Sequence, residues 1–236
     1  MKYSNQTIRC VLLVCLLINT VIGMTAAATT QVIAKIQSSH FLEGTNLTDN
    51  SPSAAINIDW SSNSGFFVGL DCFASSIKKS DGIDIGCDTY GGYFKKLNVN
   101  NALSAKITRH QYSEGFGQEW DFTEFSSSWH IGNTTQISAI YSQNWLNRPF
   151  DTVSLKGQSK LAISEKLNLD LSGNIMKIES GAPVNTLMYA RATLSYTHNR
   201  WTADIGIAHT GRDQLRMVPF DADTAQLFFA INYRLY

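Results

Sequence analysis

The chain has 236 residues, 44% of them hydrophobic and 16% charged, with 19 basic and 19 acidic side chains in balance. A formal net charge of zero and no basic stripe exclude nucleic acid as an expected partner, because a phosphate backbone is held by clustered Lys and Arg. The five histidines are scattered without an H-x-x-x-H spacing and no C-x-x-C occurs, so no metal and no cofactor is expected.

The first residues carry Lys2 and Arg9, an apolar run from Cys10 through Ile22, and then Ala26, Ala27 and Ala28. That is the charge, apolar core and small-residue order of a secretory signal. The run is shorter than the about 20 apolar residues a spanning helix needs, which argues against a retained anchor. Residues 1–28 are therefore expected to be removed by cleavage between Ala28 and Thr29, leaving residues 29–236 as one β domain. Val14 before Cys15 and Arg9 before Cys10 are not the small residues that lipid attachment requires.

From Thr30 onward the hydrophobic period is two, broken by Gly, Asn, Asp and Ser clusters, and no stretch shows the 3.6 period of an amphipathic helix or the length of a membrane helix. Twelve strands are predicted: Gln31 to Ser38, Ser53 to Ser61, Gly65 to Ser75, Ile83 to Lys95, Leu103 to Tyr112, Asp121 to His130, Thr135 to Trp145, Thr152 to Ile163, Lys166 to Ile178, Leu187 to His198, Arg200 to His209 and Ala225 to Tyr236. Pro52, Pro149, Pro183 and Pro219 all fall at strand edges or between strands, where a missing ladder donor does little harm. Tight connections at Gly132-Asn133, Ser164-Glu165 and Asn199 contrast with longer ones at Glu114 to Glu119, Asn147 to Asp151 and Gly211 to Asp223, an imperfect short-long alternation.

The alternation gives each strand one apolar and one polar face. Ala54, Ile56, Ile58 and Trp60 interleave with Ala55, Asn57 and Asp59; Leu167, Leu169, Leu171 and Ile175 interleave with Asn168, Asp170, Ser172 and Asn174. A soluble sandwich with its apolar faces turned inward produces the same pattern. Three features favour an antiparallel up-and-down transmembrane β-barrel. Strands of about 9 to 12 residues suit a tilted membrane strand rather than a globular one. Aromatic residues (Trp60, Phe66, Phe67, Phe94, Trp129, Tyr141, Trp145, Tyr196, Trp201 and Tyr233) sit near strand ends, where interfacial girdles belong. The chain also ends on a strand with Phe229, Ile231, Tyr233 and Leu235 on one face and Tyr236 on the other. The expected location is the cell outer membrane, with its lipid as one partner.

Cys72 and Cys87 flank a hairpin around residues 78–82, and centring its turn between Lys79 and Ser80 sets them directly opposite each other on the Leu70 and Ile85 face. A cross-strand disulfide is one reading, and two buried thiols acting as small apolar residues is the other.

The segment from Ser39 to Ala54, with Ser64-Gly65-Phe66-Phe67-Val68-Gly69-Leu70, Asp84 to Tyr93 and Thr123-Glu124-Phe125, resembles the Gcw-type conserved hypothetical family of bacterial exported proteins. That family opens with an aromatic-rich strand, a Phe-Arg-Gly turn, a polar stretch and Pro-Ala, then strands of the kind S-G-F-Y-V-G and E-x-D-x-Y-x-G-Y. Glu43 stands where the family usually has Arg. The resemblance covers Ser39 to Ser128 and implies an outer-membrane barrel-like fold without an established activity.

With the apolar face in lipid, the other face lines a lumen and collects Lys35, Asn57, Asp59, Asp71, Asp88, Lys106, His110, Glu124, His130, Lys156, Lys160, Asp170, Arg191, Asp204 and Arg234. Fixed charges of both signs suit a narrow pore or binding barrel for a small polar solute. The same set also suits a mutually neutralising network that plugs the barrel, since a charge in a narrow lumen must be paired or hydrated. Twelve strands lie between the filled eight-stranded barrel and the open porin. A structural or partner-binding role would fall to the loops at residues 114–119 and 211–223. An outer-membrane lipid hydrolase would need Ser195, His198 and His209 to meet, and no nucleophile motif accompanies them, so the chain is expected not to be an enzyme.

Overall fold

The structure is a computed structural model, and it describes residues 28–42, 45–48, 50–75, 83–112, 120–145, 149–179, 185–212 and 225–236. Residues 1–27 of the expected signal peptide, the 78–82 hairpin tip, residues 114–119 and most of 211–223 lie outside them. β1 begins at Ala28, one residue before the expected cleavage point.

Twelve strands form the wall: β1 (Ala28–Gln37), β4 (Ser53–Ser62), β5 (Phe66–Ser75), β6 (Asp84–Lys96), β7 (Asn101–Tyr112), β8 (Trp120–Ile131), β9 (Thr135–Gln143), β10 (Asp151–Ala162), β11 (Leu167–Glu179), β12 (Asn185–His198), β13 (Trp201–Arg212) and β14 (Gln226–Arg234). Two short strands, β2 (Phe41–Leu42) and β3 (Thr45–Asn46), pair with each other inside the connection from β1 to β4. Each wall strand pairs antiparallel with its neighbours in order, and β1 closes the ring by pairing with both β4 and β14. The sandwich reading is thereby excluded, because one continuous ladder has no second sheet to face. The seam continues past β14, where Leu235 N donates to Val32 O (2.8 Å) and Val32 N donates to Tyr236 O (3.2 Å).

Connections 63–65, 97–100, 132–134, 163–166 and 199–200 lie at one end with Ala28 and Tyr236, here called the turn side. The strand ends that lead into residues 38–52, 76–83, 113–119, 144–150, 180–184 and 213–225 form the other rim, the loop side. The alternation that looks imperfect in the sequence is complete in the barrel. Tight reversal on the turn side uses Asn199 (φ 54°) in a two-residue turn, where Asn tolerates the left-handed region.

Outward positions are apolar over a band: Leu103 and Ile107 on β7, Leu155 and Leu161 on β10, Leu171 and Ile175 on β11, and Ile205 and Ile207 on β13 are all exposed. On the turn side the band ends in aromatic side chains. Phe66 meets Tyr93 at a tilt (5.0 Å between centroids), Trp201 meets Tyr233 likewise (4.4 Å), and Trp129 Nε1 donates to Asn101 Oδ1 (3.0 Å). On the loop side it ends in polar groups such as the Arg109 to Asp121 pair (3.2 Å). Three aromatics expected in the girdle are corrected. Phe67 and Phe94 share the inward register, and Trp145, beyond the end of β9, turns into the interior at 2% exposure.

The inward face carries four directly paired Gly and aromatic residues: Gly69 with Tyr90, Gly86 with Phe73, Gly92 with Phe67, and Gly206 with Phe228. In each pair a Cβ on the glycine would collide with the ring, so the missing side chain lets the ring lie flat along the wall. The lumen is not wet throughout, which corrects the expectation of a uniformly polar inner face. On the loop side Leu47, Phe73, Tyr112, Phe122, Trp145, Phe150, Met176, Ile178 and Leu187 form one buried apolar cluster. Full burial of each such side chain contributes about 1.5–3 kcal/mol, which stabilises that half of the barrel as a packed core.

Candidate functional site: the barrel lumen

Strand pairing carries one parity around the whole wall, and every charged or polar residue expected to line the lumen shares it. The register Ile33, Asn57, Asp71, Asp88, His110, Phe122 runs directly across β1, β4, β5, β6, β7 and β8. Asp170, Thr193 and Gly206 continue it across β11, β12 and β13. Lys106, Glu124, His130, Lys156, Lys160, Arg191, Asp204 and Lys35 fall on the same face, and Arg234 lies on it at the turn-side rim, exposed.

The charges segregate around the ring. Asp59, Asp71, Asp88 and Glu124 stand on β4, β5, β6 and β8, whereas Lys35, Lys156, Lys160 and Arg191 stand on β1, β10 and β12. A field therefore runs across the bore, interrupted by Lys106 and His110 on the acidic side and by Asp170 and Asp204 on the basic side. Tyr90 extends the acidic wall: its hydroxyl donates to Asp59 Oδ1, it accepts from Asn57 Nδ2 (3.3 Å), and Lys106 Nζ lies 5.3 Å above its ring.

The acidic wall is knotted at His110, whose side chain is 3% exposed. Asp88 Oδ1 lies 2.8 Å from Nδ1 and also accepts from the Tyr112 hydroxyl at 3.0 Å. Glu124 Oε2 lies 3.1 Å from Nε2, close enough for an ion pair although off the line of a hydrogen bond. Ser142 donates to the other oxygen of Glu124 (2.9 Å), and the Phe122 ring stacks on the imidazole at 4.3 Å. A histidine between two carboxylates, roofed by a ring, is a fixed structural unit of the wall rather than a mobile acid or base.

The basic wall opens onto a turn-side recess of about 710 Å³ whose lining includes His130, Gln136, Lys160, Asp170, Arg191, Ser195 and Asp204. Its carboxylates are bonded by neutral donors: Asp170 accepts from Ser195 Oγ (3.2 Å) and Asp204 from Asn232 Nδ2 (2.8 Å). The Arg191 guanidinium carbon lies over the Phe228 ring, 4.1 Å from its centroid, with Nε donating to Thr193 Oγ1 (3.0 Å). Arg191 thus lines the recess while its guanidinium is supported by the ring beneath it. Phe94 and His130 meet edge to face (5.3 Å) and separate this recess from a second of about 400 Å³ beside Ser61, Ser62 and Ser104.

Ser195 is on the inward register of β12, while His198 on the same strand and His209 on β13 are on the outward one. The hydrolase arrangement fails on parity, since a nucleophile and its base cannot meet through the wall. Cys72 and Cys87 are directly opposite on β5 and β6 with Cα atoms 4.1 Å apart, and they are disulfide-bonded on the outward face. Sequence reasoning missed the ring platforms Tyr90 and Phe228. Their signal was present as an inward aromatic facing a glycine one strand away.

No family model matches the chain, and no curated protein matches it. Among solved structures, the NanC porin in a rhombohedral crystal form is similar over 88% of this chain and 100% of its own, with a TM-score of 0.57 and 10% identity. The KdgM porin is similar over 88% and 100%, with a TM-score of 0.52 and 7% identity. A structure described as the KdgM porin in complex with disordered oligogalacturonate is also similar, with a TM-score of 0.52 and 8% identity. At such identities the likeness concerns the fold.

Proposed function

We propose that the chain is exported through its N-terminal signal to the outer membrane, where it forms a narrow pore or binding barrel for a small polar solute. Membership of the Gcw-type family of exported barrels belongs to the same proposal. The observation that carries it is the polar recess of about 710 Å³ inside a wall whose outward side is apolar. Hydrocarbon accommodates that exterior, and water with its solutes accommodates the interior. Lys160 and Arg191 make no ion pair among the described residues, so Lys160 Nζ and the terminal nitrogens of Arg191 can meet a carboxylate or hydroxyl passing the recess. The oligogalacturonate described with the KdgM porin supports a polar, oxygen-rich solute for a barrel of this build.

The test is planar-bilayer recording of the refolded chain. Stepwise currents whose reversal potential moves toward cation selectivity in Lys160→Glu and Arg191→Gln support the pore. Complete electrical silence under all conditions supports the second reading, a plugged scaffold, which the apolar packing of the loop side favours.

A further inference from the structure

The connection from β1 to β4 does not lie over the barrel mouth. Its described residues fold into the lumen, where Phe41 pairs with Asn46 and Leu42 with Thr45. The turn is tied by Leu47 N donating to His40 O (2.8 Å) and His40 N donating to Thr48 Oγ1 (3.1 Å). Leu47 is 0% exposed and packs in the loop-side cluster with residues of β5, β7, β8, β11 and β12. Phe41 meets Phe228 edge to face (5.9 Å), directly beside the ring that carries Arg191. The hairpin therefore caps the polar recess with an apolar stopper, and both ends of that stopper belong to a single connection.

Its polar attachments are few. Asn46 Nδ2 donates to Gln226 Oε1 on β14 (2.8 Å). The His40 ring lies on Phe73 at 3.8 Å with planes 13° apart, and its Nδ1 accepts from Gln37 Nε2. A neutral imidazole accepts there, whereas a charged one must have the Gln37 amide turned to offer its oxygen and places its charge in an apolar seat.

We propose that the hairpin containing His40, Phe41, Leu42 and Leu47 is a displaceable gate, held shut by the neutral His40 ring and released from the lumen when that ring is protonated. This inference rests on the pore reading. Charges facing the ring decide the sign: Lys35 on β1 and Arg191 on β12 repel a cation there, and Asp88 on β6 attracts it. Asp71 lies two residues from Phe73 on the same face of β5, and Asp88 is already engaged by His110 and Tyr112. Burial, with Lys35 adding to it, pushes the imidazole down to about 4 from its ordinary 6.5. The released hairpin exposes His40 to water at its ordinary value. The shut state is thus at full strength above about pH 6.5 and weakens as pH falls toward about 4, by on the order of a hundredfold in population.

The experiment is single-channel recording of the refolded chain at about pH 7.5 and about pH 4.5. His40→Phe keeps the stack on Phe73 without a titrating proton, and Leu47→Asp sets a charge in the apolar cluster. The expected result is roughly tenfold or more open time in acid for the wild type, no acid response in His40→Phe, and Leu47→Asp open at both values. Equal acid opening in wild type and His40→Phe overturns the gate. So does a wild-type current that ignores pH, which leaves the pore standing. Silence from all three, Leu47→Asp included, overturns the pore reading and the gate with it.

Discussion

Gly206 on β13 and Phe228 on β14 are paired directly across the ladder, and the Phe228 ring occupies the space a side chain at 206 would fill. Because Arg191 rests over that ring, one missing side chain on β13 bears on the position of a cation that lines the recess. Gly206→Ala has both the ring and the carbonyl of Ala192 in its way, so the wall must shift. The expected cost is about 1–3 kcal/mol of stability, measured by denaturant unfolding in detergent micelles. Phe228→Leu relieves the crowding and leaves Arg191 unsupported. It should keep stability within about 1.5 kcal/mol while altering ion selectivity.

The Cys72 to Cys87 bridge closes a segment with a sequence separation of 15. By loop-closure entropy a bridge of that span stabilises by about 3 kcal/mol. Both strands are also held by ladders to β4 and β7, so the doubly substituted Cys72→Ser, Cys87→Ser chain should still form the barrel. Its unfolding midpoint should drop, and the unreduced wild type should show no maleimide-reactive thiol at these positions.

Asp88 and Asp170 are both lumen carboxylates, yet they differ in what depends on them. Asp88 meets the buried His110 and Tyr112 in the knot, whereas Asp170, among the described residues, accepts from the Ser195 hydroxyl beside the recess. Asp88→Asn should destabilise by on the order of 2–3 kcal/mol, because a buried partner group loses its counter-charge. Asp170→Asn should cost less than about 1 kcal/mol. A reversed ranking in paired unfolding curves would show that the knot is not a structural unit.

Ile205 lies mid-strand on the outward face of β13 and is exposed to whatever surrounds the barrel. In a bilayer, Ile205→Arg should cost about 2–4 kcal/mol, read from refolding titrations into lipid vesicles. The same change on the inward face, at Thr193, should cost less, since that position adjoins the recess. Equal costs at the two sites would contradict hydrocarbon on the outside.

Much of the wall was legible in the chain because a strand has a period of two: once Asn57, Asp59 and Asp170 alternate with Ile56, Ile58 and Leu169, their faces are assigned wherever the strand goes. A centred turn also set Cys72 opposite Cys87, whereas the split of Ser195 from His198 onto opposite faces was drawn from the strand register. Less legible were Phe73, Tyr112, Phe122, Met176 and Ile178, which share the lumen register with the charges but sit toward the loop side. A two-residue period says which face a side chain joins and nothing about how far along the bore it lies.

The sequence by itself determined a strand-built chain, the in-or-out sense of nearly every wall residue and the opposition of two cysteines, because these depend on neighbours close along the strand. Closure was decided only when β1 found β14, some two hundred positions away. The same holds for the inward placement of His40, Phe41, Leu42 and Leu47 and for Phe228 beneath Arg191. Each joins residues on different strands, and a pattern confined to one strand carries no information about which distant surface will cover it.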